Sequence, residues 1–194
     1  MGFYRNSDMF QFKDHNDSKD CVCDTIQNIV KAQKEVQEEG WNYSIRQLKK
    51  GDGIDPQYST IPFILYTKDD GSPFVGSGIF QAPHHRRDTF FGCIESPILR
   101  AKNFTNGSNC CVKVELLLPI ANGCEIQPYS KDKHRVSAYF PEDDPVTDFL
   151  ATGLCLTLDL KKFLGITCLD AITPIPHEEF FAEEQPQNHH HMEY

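Results

Sequence analysis

The chain has 194 residues, enough for one domain of ordinary size with short extensions at either end. Its formal net charge is −9, with carboxylates grouped at Glu142, Asp143, Asp144 and Asp148 and again at Glu178, Glu179, Glu183, Glu184 and Glu193, a sign and clustering that argue against nucleic-acid binding. No apolar stretch approaches the length of a membrane span or a secretory signal, so the expectation is a chain made in a cytosol, with no membrane insertion.

In chain order, residues 1–20 are polar and lack periodicity, which reads as a flexible leader. From Asp24 to Glu39 the apolar residues Ile26, Ile29, Val30 and Val36 recur on one helical face, which predicts an amphipathic helix over 24–39. Asp24 with Gln27 three residues on is a capping-box pattern, and Gly40 stands where a helix commonly stops. After Pro56 the pattern changes to short β-prone runs: 61–66, 74–80, 89–94, 98–104 and 111–118. Asn106-Gly107 between the last two is a hairpin signal. Val112, Val114 and Leu116 alternate with Lys113 and Glu115, and Leu154, Leu156, Leu158 and Leu160 alternate with Cys155, Thr157 and Asp159. Each predicts a strand with one buried and one wet face.

The fold class that follows is mainly β: an antiparallel β-sandwich or barrel-like domain, about residues 60–170, behind one N-terminal amphipathic helix. The domain is bounded at 21–173. Residues 174–194, acidic and ending in His189, His190 and His191 before Met192, read as a flexible tail.

Patterns that carry chemistry are absent or incomplete. Gly71 to Gly78 has the glycine spacing of a phosphate loop but no lysine to reach a phosphate, and Ser77 between Gly76 and Gly78 is not a nucleophile elbow. Glu142, Asp143 and Asp144, between Pro141 and Pro145, lack the alternating oxygen ligands of a calcium loop and read as a charged turn. The basic run His84-His85-Arg86-Arg87 is closed by Asp88 and is too short to track a nucleic-acid backbone. An enzyme is not expected, and no cofactor is expected.

Eight cysteines are more than buried packing usually requires: Cys21, Cys23, Cys93, Cys110, Cys111, Cys124, Cys155 and Cys168. None forms the paired C-x(2–4)-C spacing from which structural zinc sites draw ligands. A Cys/His metal-binding module is nevertheless the alternative reading from another class. Cys93, Cys155 and Cys168 are flanked by apolar residues and read as small buried hydrophobes. Cys110 and Cys111, if on a strand, point to opposite faces, so at least one reaches the surface unless both faces are covered.

Three segments together resemble the spore coat protein Y/Z family and its exosporium relatives. Asp20-Cys21-Val22-Cys23-Asp24 running into a Glu/Gln-rich helix looks like the family's start. Ile61 to Lys68 with Pro73-Phe74 looks like its first strand and turn, and Cys155 to Leu160 with Phe163 and Ile166 to Leu169 looks like its closing motif. The resemblance covers about residues 21–172. It departs at Gly40-Trp41-Asn42-Tyr43, where the family usually has a second cysteine cluster, and at Lys162 and Leu164, where it usually has more cysteines. The resemblance implies a structural subunit, made in the mother-cell cytoplasm and placed at the spore surface in outer coat, crust or exosporium. Its implied partners are itself and related coat proteins, in a layer reinforced by disulfides. Cys21 and Cys23 are then the first candidates for bonds between neighbours, with Cys110 and Cys111 next.

Overall fold

The computed structural model describes residues 21–48, 59–84, 88–108, 110–126, 128 and 132–176. The expected leader and the tail beyond Pro176 lie outside the described residues.

Helix α1 spans Cys21–Leu48. It is longer than the periodicity predicts at both ends. Asp24 lies within the first turn instead of ahead of it, so the capping-box pattern does not mark the start; its carboxylate still suits the positive end of the helix. Gly40 does not stop the helix. A single glycine costs about 1 kcal/mol relative to alanine inside a helix, and the good helix formers on both sides, Glu38 and Glu39 before it and Arg46, Gln47 and Leu48 after it, outweigh that. Val22, Cys23, Ile26, Ile29 and Val30 are buried at helical spacing. Val36, on the same face by periodicity, is 40% exposed, in a stretch from Lys34 to Glu38 where every residue is exposed.

Among the described residues nine strands follow: β1 Phe63–Thr67, β2 Gly76–His84, β3 Asp88–Ser96, β4 Leu99–Phe104, β5 Cys111–Ala121, β6 Cys124–Glu125, β7 Asp148–Asp159, β8 Phe163–Cys168 and β9 Ile175–Pro176. The main sheet has the order β8-β1-β4-β5-β7-β9 with β6 on β5, and β2 with β3 forms a separate two-stranded ribbon. All pairs are antiparallel except β7 with β9. The path among the described residues runs from β8 to β9 without closing into a barrel, and the fold is, as expected, mainly β with antiparallel pairing dominant and one helix near the N-terminus. Ile175 and Pro176 pair with Leu150 and Ala151, which takes residues assigned to the tail into the sheet.

Alternation along the strands sorts side chains to two faces. Val112, Val114, Leu116, Leu118 and Ile120 of β5 join Phe63, Leu65, Leu99, Ala101 and Leu150 in the core shared with α1. Leu117, Ile64, Ile98, Phe149 and Ala151 form a second core on the other face, against Val136, Phe140, Val146, Leu169 and Ile172. Each buried Ile or Val contributes roughly 1.5–3 kcal/mol before chain entropy is subtracted. The four such residues of α1 therefore suffice to seat the helix. Gln33 fixes its orientation: Nε2 donates to Ala101 O at 3.0 Å, while Oε1 accepts from Thr60 Oγ1 at 2.6 Å.

The ribbon β2–β3 covers the rest of the α1 face. It can lie close because Gly76 and Gly78 have no side chains: a Cβ on Gly76 would stand 2.6 Å from Leu116 Cδ2, and one on Gly78 3.0 Å from Leu154 Cδ1. Phe80 lies across Gly92, its cross-strand partner, an aromatic ring covering a glycine gap. The glycine-rich stretch thus owes its composition to packing.

The hairpin signal at Asn106-Gly107 holds. Ser108 N donates to Thr105 O at 3.2 Å and Gly107 has φ +81, within a connection that runs from Phe104 to Cys111. A tighter hairpin joins β5 to β6, with Ala121 paired to Cys124 and both Asn122 (φ 50) and Gly123 (φ 75) left-handed, the conformation that Asn-Gly favours in a two-residue hairpin turn. That second Asn-Gly pair was an equally good signal in the sequence.

Candidate functional site

The eight cysteines are the candidate site residues, and the structure distributes them unequally. Cys21 is exposed at the start of α1. Cys23, two residues on, is only 2% exposed and turns inward beside Val22 and Ile26. Cys110 precedes β5 in the β4–β5 connection, half-buried against the same core. Cys23 and Cys110 are joined by a disulfide, with Cα atoms 5.5 Å apart and a sequence separation of 87. Two of the four thiols expected to link neighbours are therefore paired within the chain. The sequence hides this because the proximity arises only when α1 docks on the sheet.

Cys111 opens β5, adjacent to Val112 of the α1-facing core, so alternation sends it to the opposite face. It is half-buried. Ser108 shapes the approach to both cysteines, its Oγ accepting from Cys110 N at 3.3 Å and from Cys111 N at 3.0 Å.

The larger correction concerns Cys93, Cys155 and Cys168. All three are exposed, as is Cys124, so none is a small buried hydrophobe. Apolar flanks in a strand point to the face opposite the residue they flank, and so imply nothing about its burial. Cys155 illustrates this: Leu154 and Leu156 pack on the α1-facing core, while Cys155 pairs with Glu115 on the other face. Cys93 pairs with Ile79 on the ribbon, and Ile79 and nearby Phe91 are 69% and 71% exposed. Cys168 borders a groove of about 600 Å³ with Phe140, Val146, Phe149, Leu169 and Ile172. Burial there pushes its thiol above the ordinary value.

The face that carries Cys155 is not simply wet. Glu115, expected to point into water, is 3% exposed. Its Oε2 accepts from Arg100 Nε at 2.8 Å and lies 2.7 Å from the Arg100 guanidinium's second nitrogen and 3.1 Å from Lys102 Nζ. Its Oε1 accepts from Gly153 N at 2.9 Å. Burial pushes the Glu115 carboxyl up, but Arg100, the Gly153 amide and Lys102 together outweigh it and hold the group below its usual value. Gly153 reaches the carboxylate because β7 bulges there: Cys155 pairs with Glu115 and Ala151 with Leu117, and Gly153 adopts φ +75. The cluster fixes the register of β5 and β7, and with it the placement of Cys155.

A third tie holds the ribbon. Lys133 Nζ donates to Glu95 of β3, and buried Tyr139 donates to Lys133 O at 3.2 Å. Burial, with the Glu95 charge, pushes the Tyr139 hydroxyl up to about 12.

Among the described residues no group of three His, Cys, Asp or Glu side chains is placed to hold a metal ion. His134 is exposed, and the three tail histidines lie outside the described residues. The charged turn at Glu142–Asp144 is tied down by Asn122 Nδ2, which donates to Asp144 Oδ1 at 2.5 Å. Among the described residues no helix is long and apolar enough to cross a membrane.

The described chain is thus a mainly β body with thiols spread over its surface. Comparison with protein families matches residues 10–171 to Spore coat protein Z, and the chain belongs to that family. The family places it at the spore surface in a structural role. Comparison with curated proteins and with solved structures gives no match.

Proposed function

We propose that this chain is a non-catalytic building block that packs with copies of itself, and with related coat proteins, into a layer of the outer coat, crust or exosporium, made in the mother-cell cytoplasm and then reinforced by disulfides between neighbours. The observation that carries this reading is the dispersal of thiols: Cys93, Cys124, Cys155 and Cys168 are exposed on separate elements, outside any disulfide within the chain. One reactive cysteine would suit a nucleophile and a convergent set would suit a metal, whereas separated surface thiols suit contacts in several directions. The sheet supplies surfaces for such contacts. Beyond Ala151 no described strand pairs with β7 on the β9 side, and the ribbon β2–β3 pairs with no third strand among the described residues. Strand edges of this kind can pair with another chain. Cys21 and Cys111 stay candidates for inter-chain bonds.

The test is electron microscopy of concentrated, purified protein with non-reducing electrophoresis of the same sample. Ordered sheets that resist heat only under oxidising conditions are the expected outcome. A protein that stays monomeric at high concentration in both redox states overturns the reading.

A further inference from the structure

The only cysteines joined within the described chain form a bond whose two ends differ in access. Cys23 is 2% exposed and sits among Val22, Ile26 and the sheet core, while Cys110 is half-buried in the connection leading into β5. The helix does not depend on this bond alone for its place. Val22, Ile26, Ile29 and Val30 are buried beneath it and Gln33 bonds to Ala101 and Thr60.

We propose that the Cys23–Cys110 bond is a thiol-exchange site whose ligand is a thiol of a second copy of the chain. This rests on the self-association proposed above. The incoming thiol loses its proton to solvent and its thiolate attacks Cys110 Sγ. A new S–S bond forms between the copies, the bond to Cys23 breaks, and its electron pair leaves with Cys23, which takes up a proton. One disulfide is consumed and one is made, so the step needs no oxidant. Cys93, Cys124, Cys155 and Cys168 are among the exposed cysteines that can supply it.

Burial of Cys23 shapes the step. Cys23 is 2% exposed on the inner face of α1, with Gln27 Nε2 donating to its Sγ at 3.7 Å, so an incoming thiol reaches the bond from the half-buried Cys110 side, and a copy already packed against that side holds its thiol close. Packing then precedes linkage, and the intramolecular bond is carried into the layer as its own oxidising equivalent.

The experiment uses the full chain with the Cys23–Cys110 bond formed, concentrated under argon with chelator and no added oxidant. Samples are alkylated at intervals, and the linking peptides are mapped by mass spectrometry. Total thiols are counted in denaturant. The expected result is inter-chain links that contain Cys110, alkylated Cys23 in the same molecules, and an unchanged thiol count as links accumulate. Cys23→Ser should lower oxidant-free linking at least ten-fold while leaving linking in air. Links that lack Cys110, or two thiols lost per link, overturn the proposal. So does an absence of oxidant-free links in wild-type protein that sedimentation shows to be associated. Failure of the underlying reading is distinct: sedimentation then finds no association in either redox state.

Discussion

Cys23 and Cys110 are 87 residues apart in the chain, and the disulfide between them fastens α1 to the strand connection that begins β5. It closes a loop over β1 to β4, so it constrains the unfolded chain widely. A loop of this length is worth about 4–5 kcal/mol in the chain-entropy account. Cys23→Ser, or reduction of the wild type, should lower the melting temperature by roughly 10 °C while leaving a folded protein. Calorimetry with and without reductant checks this. Equal melting of the oxidised and reduced protein would show that the bond carries no stability.

The Glu115 cluster sets the acid response. Its folded carboxyl lies below the ordinary value, so its stabilisation is present above the unfolded group's pKa and is lost as pH falls through the folded one. Stability measured by urea titration should be flat in this respect above about pH 5 and fall below about pH 4. Glu115→Gln should remove that part of the acid dependence and cost about 3 kcal/mol at pH 7, since Arg100 keeps its charge without a carboxylate. An unchanged acid slope in the variant would assign the effect to other groups.

Alkylation of native protein should separate the thiols. Cys93, Cys124 and Cys155 are exposed and should react readily, and Cys111 more slowly. Cys168 is exposed at the residue level, yet its thiol is pushed above the ordinary value by burial against the groove. Its rate should therefore be low at neutral pH and keep rising with pH beyond the ordinary thiol value. Mass spectrometry of pulse-labelled protein reads the profile. A Cys168 rate that levels at or below the ordinary thiol value contradicts the assignment.

The ribbon depends on missing side chains. Gly76→Val places atoms where Leu116 and Leu156 already stand, since even a Cβ would be 2.6 Å and 2.9 Å from them. The expected cost is about 1–3 kcal/mol, with hydrogen exchange increasing in β2 and β3 more than in β5. Gly107→Ala, where nothing lies within 4 Å but φ is +81, should instead cost about 1 kcal/mol from backbone strain alone. Equal exchange patterns in the two variants would mean that the ribbon is not seated through Gly76.

The periodicities were legible wherever a residue's own neighbours decide its state. Ile26, Ile29 and Val30 repeat at helical spacing, and Val112, Val114 and Leu116 at strand spacing, and all six are buried. Asn106-Gly107 marked its turn because left-handed backbone is a local property of glycine. The ordered segments that resemble the family were legible in the same way, as residues read along the chain.

What the sequence did not determine was set by which elements lie against which. Val36 shares the apolar face of α1, yet it is exposed together with its neighbours from Lys34 to Glu38. Glu115 alternates like a surface residue, but Arg100 and Lys102 come from β4 and the Gly153 amide from a bulge in β7, so its burial depends on three strands meeting. Cys155 and Cys93 looked apolar from their flanks and are exposed, because a strand sends neighbours to opposite faces and only the assembled layers decide which face is covered. Cys23 and Cys110 became partners for the same reason. A bond across 87 residues is a property of docking, and no local pattern along the chain records where a helix will dock.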